Sequence, residues 1–255
     1  MIFIKEKNME DKIGNQFLEM SKSKNMPTSA QTQGMPQPPL ELPVPSEAEL
    51  FELPSPSQIK VPAMDLRLAI EMRETRRAYA ETDLGLSELS YLLWVTQGVK
   101  TVTDRPVTKR TVPSAGSRHA FETWLLVNRV DKLQPGLYRY VALTHKLARM
   151  PANQDIRQIL TDACSHQKHV FESAVTFFWV AVVERMTWRY PARGYRYLFL
   201  DAGHVCQNLY LAAEQIGCGI CGIAAYDDDL VNQALQLDGK NLFTIYIASL
   251  GKRSK

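Results

Sequence analysis

Two groups of cationic side chains have the composition of an anion site. The first is Arg73-Glu-Thr-Arg-Arg77, with three arginines and one hydroxyl within five residues, and the second is Lys252-Arg253. Guanidinium groups match phosphate oxygens in bidentate fashion, so both groups are typical of a phosphate site. Taken alone, the first is more typical of a solvated helix end and the second of a solubilising C-terminus.

Two other segments contain small residues, which let the backbone approach a flat ligand closely. Pro113-Ser-Ala-Gly-Ser117 adds Ser114 as a hydrogen-bond donor, and a plain loop is the alternative. Gly217 to Ala225 contains only Gly, Cys, Ile and Ala. It lacks the G-x-G-x-x-G spacing that opens a helix after a strand, so a Rossmann dinucleotide site is not indicated. Its backbone amides still favour contact with a heterocycle.

A further segment interleaves aromatic rings with arginines: Trp188-Arg-Tyr190, followed by Arg193 and Tyr195-Arg-Tyr197. Such side chains can stack on a substrate and hold its charge. Packing between two protomers is the alternative.

No metal site is predicted. The five histidines lack the spacing of a ligand set. Cys218-Gly-Ile-Cys221 lies in an apolar, strand-like run without a second cysteine pair. Buried structural thiols are therefore favoured over a zinc or redox pair.

The hydrophobic periodicity predicts the elements that position these segments. Asp65 is expected to cap one helix, and Ser87 a second helix that stops at Gly98. Further helices are expected at 153–163, at 195–216 and from Asp227. Strands are expected at 123–127, 136–141, 146–150, 175–183, 219–225 and 242–250. Together they predict an α+β layer architecture.

Composition and charge exclude several classes of protein. The net charge is +3, from 30 basic and 27 acidic residues, so no broad basic field indicates a nucleic-acid partner. The longest apolar run, Val175 to Val183, is far shorter than the about 20 residues of a membrane span. The N-terminus lacks the apolar region of a signal peptide, so reduced thiols and a cytoplasmic location are expected.

The prolines divide the 255 residues into two parts. Nine of the 14 fall between Pro27 and Pro62, whereas every Trp, Tyr, His and Cys lies at Tyr79 or later. Residues 1–62 are therefore predicted to be a polar, Pro-rich, disordered tail, and residues 63–255 a globular domain. The alternative for the tail is an extended arm that packs along the domain.

Several motifs occur in the order seen in one family. They are Leu86-Ser-Glu-Leu-Ser-Tyr-Leu-Leu-Trp-Val-Thr-Gln-Gly98, Val112-Pro-Ser-Ala-Gly116, Pro135-Gly-Leu-Tyr-Arg-Tyr140, Gly194-Tyr-Arg-Tyr197 and Leu200-Asp-Ala-Gly-His-Val-Cys-Gln-Asn-Leu-Tyr-Leu-Ala-Ala213. From about Val61 to Arg253 the chain resembles the SagB/ThcOx-type dehydrogenases, a branch of the FMN-dependent nitroreductase superfamily. The resemblance implies a nitroreductase-like α+β fold with a central mixed sheet flanked by helices, in an intertwined homodimer that binds FMN at its interface.

The resemblance also implies roles for individual residues. Arg73, Thr75 and Arg77 match the family's phosphate-binding segment, and Lys252 and Arg253 match its C-terminal cations, so these residues are expected to bind the phosphate of FMN. Glu74 replaces an arginine of the family motif. Pro113, Ser114 and Ala115 match the loop that lines the flavin, contributed by the other protomer. Ile223, Ala224 and Ala225 match the strand whose backbone faces the isoalloxazine edge.

The implied activity is that of an FMN-dependent oxidoreductase. Hydride would pass through flavin N5 to or from a small organic or peptide-derived substrate held by Arg189 and Tyr190. Arg189 stands where family members commonly have lysine, and an arginine cannot act as a general base, so azoline oxidation is less expected. Two alternatives remain: an NAD(P)H-dependent nitro or quinone reductase, and a non-catalytic flavin-binding partner subunit.

Overall fold

The computed structural model describes residues 12–254, which form nine strands and eight α-helices. The strands are β1 Leu50–Glu52, β2 Val99–Val102, β3 Thr108–Arg110, β4 Phe121–Val127, β5 Gly136–Val141, β6 Lys146–Arg149, β7 Val175–Val182, β8 Cys218–Ile223 and β9 Leu242–Lys252. The helices are α1 over residues 12–20, α2 Leu66–Met72, α3 Leu86–Gln97, α4 Ile156–Ala163, α5 Lys168–Glu172, α6 Val183–Thr187, α7 Gly194–Gln215 and α8 Asp228–Ala234.

One seven-stranded sheet runs through the centre in the order β1-β6-β5-β4-β7-β9-β8, and β2 and β3 pair separately. Strand β7, an inner strand of this sheet, is buried along its whole length because helices cover both faces of the sheet. Phe177 and Trp179 pack into the cluster that contains residues of α3 and α7. Phe178 and Val180 pack against residues of α4 and α8. Burial on both faces explains why an unbroken apolar run marks this strand.

The predicted α+β architecture is observed, but the sheet is not mixed. Every neighbouring pair of its strands is antiparallel. Short connections join β4 to β5 and β5 to β6, and such connections cannot carry the chain back to a parallel start. The described residues contain no helix that is long and apolar enough to span a membrane.

The helix ends are partly as predicted. Asp65 caps α2, where its Oδ1 accepts from the amide of Leu68 at 3.2 Å. Gly98 ends α3 as expected. The predicted N-cap of α3, Ser87, is wrong, because the helix begins at Leu86 and its N-cap residue is Gly85. The side chain of Glu88 accepts from the amide of Gly85 at 2.9 Å, so a carboxylate within the first turn satisfies that donor.

The N-terminal arm, residues 12–62, follows a defined path along the domain, which corrects the expectation of disorder for this part of the tail; residues 1–11 lie outside the described residues. β1 pairs with β6 and Leu53 is buried. Main-chain groups of the arm bond to buried side chains of the domain, including Arg139 and Arg185. These bonds offset the low hydrophobicity from which disorder is predicted. The domain boundary at residue 62 stays a prediction.

Candidate functional site

The first cationic group lies where α2 ends, beside the edge strand β8. Arg73 is the C-cap residue of α2, and its guanidinium carbon lies 5.4 Å from the ring centre of Tyr210 in α7. The hydroxyl oxygen of Thr75 lies 3.2 Å from that of Tyr210. Arg77 lies beside the thiol of Cys221 in β8. The structure therefore brings Arg73, Thr75 and Arg77 together around β8 and α7.

The backbone of this segment is held by β8 itself. Thr75 forms a parallel bridge with Ile220, and the amide of Arg76 donates to the carbonyl of Ile220 at 2.9 Å. The side chain of Arg76 pairs with Glu74, the residue that replaces an arginine of the family motif. Among residues 12–254, Arg73 and Arg77 make no ion pair with a carboxylate. Their charges are available to an anion from outside.

The second cationic group lies next to the first but is already paired. The amide of Ala80 donates to the carbonyl of Lys252 at 2.8 Å, which joins the two segments. Lys252 pairs with Glu88, and Arg253 pairs with the buried carboxylate of Glu214. The charge of each cation is therefore already offset by a carboxylate of the chain.

The loop of small residues is held by a buried carboxylate on α7. The Ser114 hydroxyl donates to Oδ2 of Asp201 at 2.6 Å, and the amide of Ala115 points at both carboxylate oxygens at 3.3 Å. Burial raises the pKa of Asp201, and the hydrogen bonds from Ser114 and Ala115 oppose that rise. Pro113, the first residue of the loop, is exposed. Ser114 is thus engaged within the protein and positions the loop.

The same loop contacts the two residues predicted to hold the substrate. Gly116 has φ +58°, and a Cβ placed there would lie 2.6 Å from Oη of Tyr190 and 3.1 Å from Nε of Arg189. Tyr190 packs edge-on against Tyr197 with ring centres 4.9 Å apart. Arg189 and Tyr190 therefore share one site with Pro113, Ser114 and Ala115.

We expect Gly116→Ala to lower the free energy of unfolding by about 1 kcal/mol or more, because the new Cβ is strained by the left-handed backbone and meets Tyr190. Urea unfolding measures the loss. Gly203→Ala is the matched control, since its Cβ would have open space in α7 and should stabilise the helix by about 0.5–1 kcal/mol. Shifts of the same sign in both variants would contradict the contact.

Positive charge is concentrated near Arg189. The guanidinium carbon of Arg118 lies 5.2 Å from the centre of a Trp188 ring, and its Nε donates to the carbonyl of Gly116 at 3.2 Å. Burial lowers the pKa of Arg118, and the nearby charges of Arg189 and Arg105 lower it further. A site with several arginines favours an anionic or polar substrate group.

A buried histidine lies under the loop. The amide of His119 donates to Oγ of Ser114 at 2.9 Å. Burial, with the charges of Arg110 and Arg118, lowers the pKa of His119 from 6.5 to about 3. The folded protein therefore binds fewer protons than the unfolded chain between these values, and stability falls as the pH drops below 6.5.

We expect the buried neutral His119 to lower the free energy of unfolding by about 2 kcal/mol as the pH falls from 7 to 5. His119→Gln should make the free energy of unfolding less sensitive to pH in that window. Urea titrations at the two pH values test this, with the exposed His166 changed to Gln as the control. An unchanged pH dependence in His119→Gln would refute a neutral buried imidazole.

The third predicted segment lies at the end of β8. Ile223 is the buried last residue of the strand, and Ala224 and Ala225 are exposed beyond it. The carbonyl of Ala225 accepts from Nε2 of Gln167 at 2.8 Å. The amide of the preceding Gly222 donates to Oη of Tyr210 at 2.8 Å. Tyr210 thus links this strand to Thr75 and the first cationic group.

Within one chain the site residues form two separate groups on α7. The cationic group surrounds Tyr210, and the loop with Arg189 and Tyr190 is anchored by Asp201. The two anchors, Asp201 and Tyr210, are nine positions apart in the helix, which is about 14 Å along its axis. No group of three or more potential metal ligands occurs among the described residues.

Sequence reasoning missed three of these residues: Asp201, Tyr210 and Arg118. Asp201 could have been found, because it occurs among the apolar positions of α7 that face the core, and a buried carboxylate there requires a partner. Tyr210 lies on the same helix without any comparable signal. Arg118 follows a loop and becomes notable only through its contact with Trp188.

The nitroreductase family model matches residues 70–252, a range that includes every predicted site residue except Arg253. The chain belongs to the nitroreductase family. It is 31% identical over 187 residues to MJ1384 of Methanocaldococcus jannaschii, which is named as a nitroreductase, over 73% of this chain and 89% of that protein. The matched range also agrees with the extent of the resemblance described above, from about Val61 to Arg253.

Two relatives named as processing proteins, for microcin B17 and for trifolitoxin, support the SagB-type branch of the nitroreductase family. The chain is 26% identical to the microcin B17-processing protein McbC of Escherichia coli, over 56% of this chain and 54% of McbC. It is 27% identical to the trifolitoxin-processing protein TfxB of Rhizobium leguminosarum, over 51% of this chain and 36% of TfxB. The chain thus spans about half of McbC and about a third of TfxB.

Solved structures confirm the nitroreductase-like fold. A nitroreductase from Ralstonia eutropha superposes with a TM-score of 0.66 at 23% identity, covering 87% of this chain and 100% of that one. The E. coli microcin synthetase McbBCD complex with truncated pro-MccB17 bound contains a chain that superposes with a TM-score of 0.59 at 21% identity, covering 73% of each.

Proposed function

We propose that this nitroreductase-family chain is an FMN-dependent oxidoreductase that transfers hydride through flavin N5 to or from a small organic or peptide-derived substrate. The observation that carries the proposal is the pair Arg73 and Arg77, whose guanidinium groups have no carboxylate partner among residues 12–254. They lie beside a strand of small residues that permits close approach of a ring system. The kinship with McbC and TfxB supports a peptide-derived substrate.

The residues at β8 fit the phosphate of FMN. Arg73 and Arg77 would supply charge-assisted hydrogen bonds, and the exposed Thr75 would supply a hydroxyl. Lys252 and Arg253 would contribute less, because Glu88 and Glu214 offset their charges. The backbone of Ile223, Ala224 and Ala225 would face the edge of the flavin.

When bound, FMN supplies a reversible two-electron carrier. The chain's own residues would bind and orient the substrate. A guanidinium group is a permanent cation that cannot serve as a general base, so we assign Arg189 the binding of an anionic or carbonyl group. Tyr190 would place a hydroxyl beside that group, and the buried Arg118 would add positive charge behind it.

We propose that two chains assemble into an intertwined homodimer, because each chain holds the two groups of site residues about 14 Å apart along α7. A loop from one protomer beside the cations of the other would complete each flavin site. Large apolar side chains that are exposed in one chain support this assembly; they are Leu66, Leu68, Ile70 and Met72 of α2 and Phe199 and Leu200 of α7.

The test is an anaerobic absorbance titration of the purified protein. We expect a yellow protein that releases FMN on denaturation, with one flavin per chain in a dimer. A colourless protein that cannot be reconstituted with FMN would refute the proposal. Bound flavin that no nicotinamide or acceptor can cycle would instead support a non-catalytic, flavin-binding partner subunit.

The same titration separates the second candidate, an NAD(P)H-dependent reductase of nitro or quinone compounds. The nitroreductase name of MJ1384 favours it. Rapid bleaching of the bound flavin by NADPH supports this reductase, whereas bleaching only by a peptide substrate supports the SagB-type activity.

The cysteines bear on the cellular compartment. All four are buried and form no disulfide among residues 12–254. The cytoplasm stays the predicted compartment.

A further inference from the structure

The N-terminal arm crosses the protein next to the proposed substrate residues. The amide of Gln31 donates to the carbonyl of Trp188 at 2.9 Å, and Nε1 of Trp188 donates to the carbonyl of Met35 at 2.9 Å. Trp188 directly precedes Arg189 and Tyr190. The stretch 31–43, which contains neither helix nor strand, therefore begins at the substrate end of the site.

Further along, buried charged side chains contact the main chain of this stretch. Nε of Arg185 donates to the carbonyl of Pro39 at 2.7 Å. Oε1 of Glu122 accepts from the amide of Leu42 at 2.8 Å. Nη2 of Arg139 donates to the carbonyls of Leu42 at 3.1 Å and Pro43 at 2.9 Å. All of these groups recognise peptide main chain, which any sequence can offer.

The domain residues under the stretch form a polar trough. Arg139, Glu122 and Arg185 are 2%, 4% and 3% exposed, and Glu122 pairs with Arg185 at 2.6 Å. Because burying charges costs free energy, residues 31–43 are held over these side chains less firmly than they would be over an apolar surface. Few side chains of the stretch contribute: Gln37 bonds to Pro106, Glu41 accepts from the amide of Leu143, and Leu42 packs against the core.

We infer that residues 31–43 occupy a binding groove for extended peptide, formed by Trp188, Arg185, Glu122 and Arg139, and that a peptide substrate enters by displacing them. The inference rests on the proposed activity toward peptide-derived substrates. The groove recognises main-chain carbonyls and amides, and its end at Trp188 delivers the peptide to Arg189 and Tyr190.

The test uses the full-length chain and a fluorescent peptide with the sequence of residues 29–45, followed by anisotropy. The chain's own arm competes with this peptide, so binding to the unchanged protein should be weak. Leu42→Ala removes an apolar anchor of the arm and leaves the groove intact. We expect it to strengthen binding of the peptide by about ten-fold. Leu18→Ala, at an exposed leucine elsewhere in the arm, should have no effect.

Two modified peptides test recognition of the main chain. N-methylation at Leu42 of the peptide removes the amide that Glu122 accepts, and binding to the Leu42→Ala protein should weaken by about ten-fold or more. N-methylation at Leu40 is the matched control, because that amide donates no hydrogen bond in the described structure. Equal binding of the two methylated peptides would overturn the inference.

Equal binding of the unmodified peptide to the unchanged protein and to Leu42→Ala, or binding to neither, would also overturn the inference. The arm would then be a permanent part of the fold. If Leu42→Ala fails to fold, hydrogen exchange of the unchanged protein decides the question. Excess peptide should then speed exchange at the amides of Gln31 and Leu42, and unchanged exchange would contradict displacement. These readouts need no flavin turnover, so their failure is distinct from failure of the proposed activity.

Discussion

Replacing Arg73 and Arg77 together by alanine is expected to weaken FMN binding by at least about 100-fold. A hydrogen bond to a charged group contributes about 1.5–3 kcal/mol, and two of them would be lost. At about 1.4 kcal/mol per factor of ten, the loss amounts to two orders of magnitude or more. The two guanidinium groups have no carboxylate partner among residues 12–254 that would offset their removal from the fold. The folded structure should therefore survive the change.

Quenching of FMN fluorescence by the flavin-free protein measures the dissociation constant. Arg67→Ala is the matched control, because this arginine lies six residues, nearly two turns, before Arg73 on α2, is highly exposed and, within residues 12–254, pairs with Glu71 alone. It should leave the FMN affinity unchanged within a factor of about two. If the double variant and the control bind FMN equally, the phosphate does not lie at β8 and the assignment of these residues is wrong.

Glu122→Ala is expected to lower the free energy of unfolding by about 3–5 kcal/mol. Glu122 and Arg185 form an ion pair in which each side chain is 3% exposed. Removal of the carboxylate leaves the guanidinium buried without its partner, and breaking a buried pair in this way has a cost of that size. It also removes the acceptor for the amide of Leu42 in the arm.

Urea unfolding followed by circular dichroism tests this expectation. Glu71→Ala breaks the exposed pair with Arg67 and should cost less than about 1 kcal/mol. Glu122→Gln, which keeps an acceptor oxygen for Leu42, should fall between the two. A cost for Glu122→Ala no greater than that for Glu71→Ala would mean that the pair is accessible to water and that the arm does not cover it.

Local signals in the sequence were sufficient for most of the elements. The Asp65 cap, the stop at Gly98 and the continuous apolar run of β7 depend on neighbouring residues, and each prediction is confirmed. The cap of α3 shows the limit of such signals. Ser87 has a good capping side chain, but the carboxylate of Glu88 accepts from the amide of Gly85, so the helix begins earlier in the chain than Ser87.

Interactions between distant segments could not be predicted in the same way. The pairing of Lys252 with Glu88 and of Arg253 with Glu214 depends on how β9 lies beside α3 and α7. No spacing in the sequence reveals these partners. The path of the arm has the same origin, because its contacts join residues about a hundred positions apart, such as Leu42 and Arg139. Composition alone therefore predicts disorder where long-range hydrogen bonds provide order.

The contacts of the arm with main-chain groups have a consequence for the evolution of this protein. A carbonyl or amide is present whichever side chain a residue carries, so substitutions along 31–43 leave most of the contacts in place. The side chains of Arg139, Glu122, Arg185 and Trp188 have no such freedom, because each supplies a specific donor or acceptor. We expect related chains to keep these four residues while the sequence of the arm drifts.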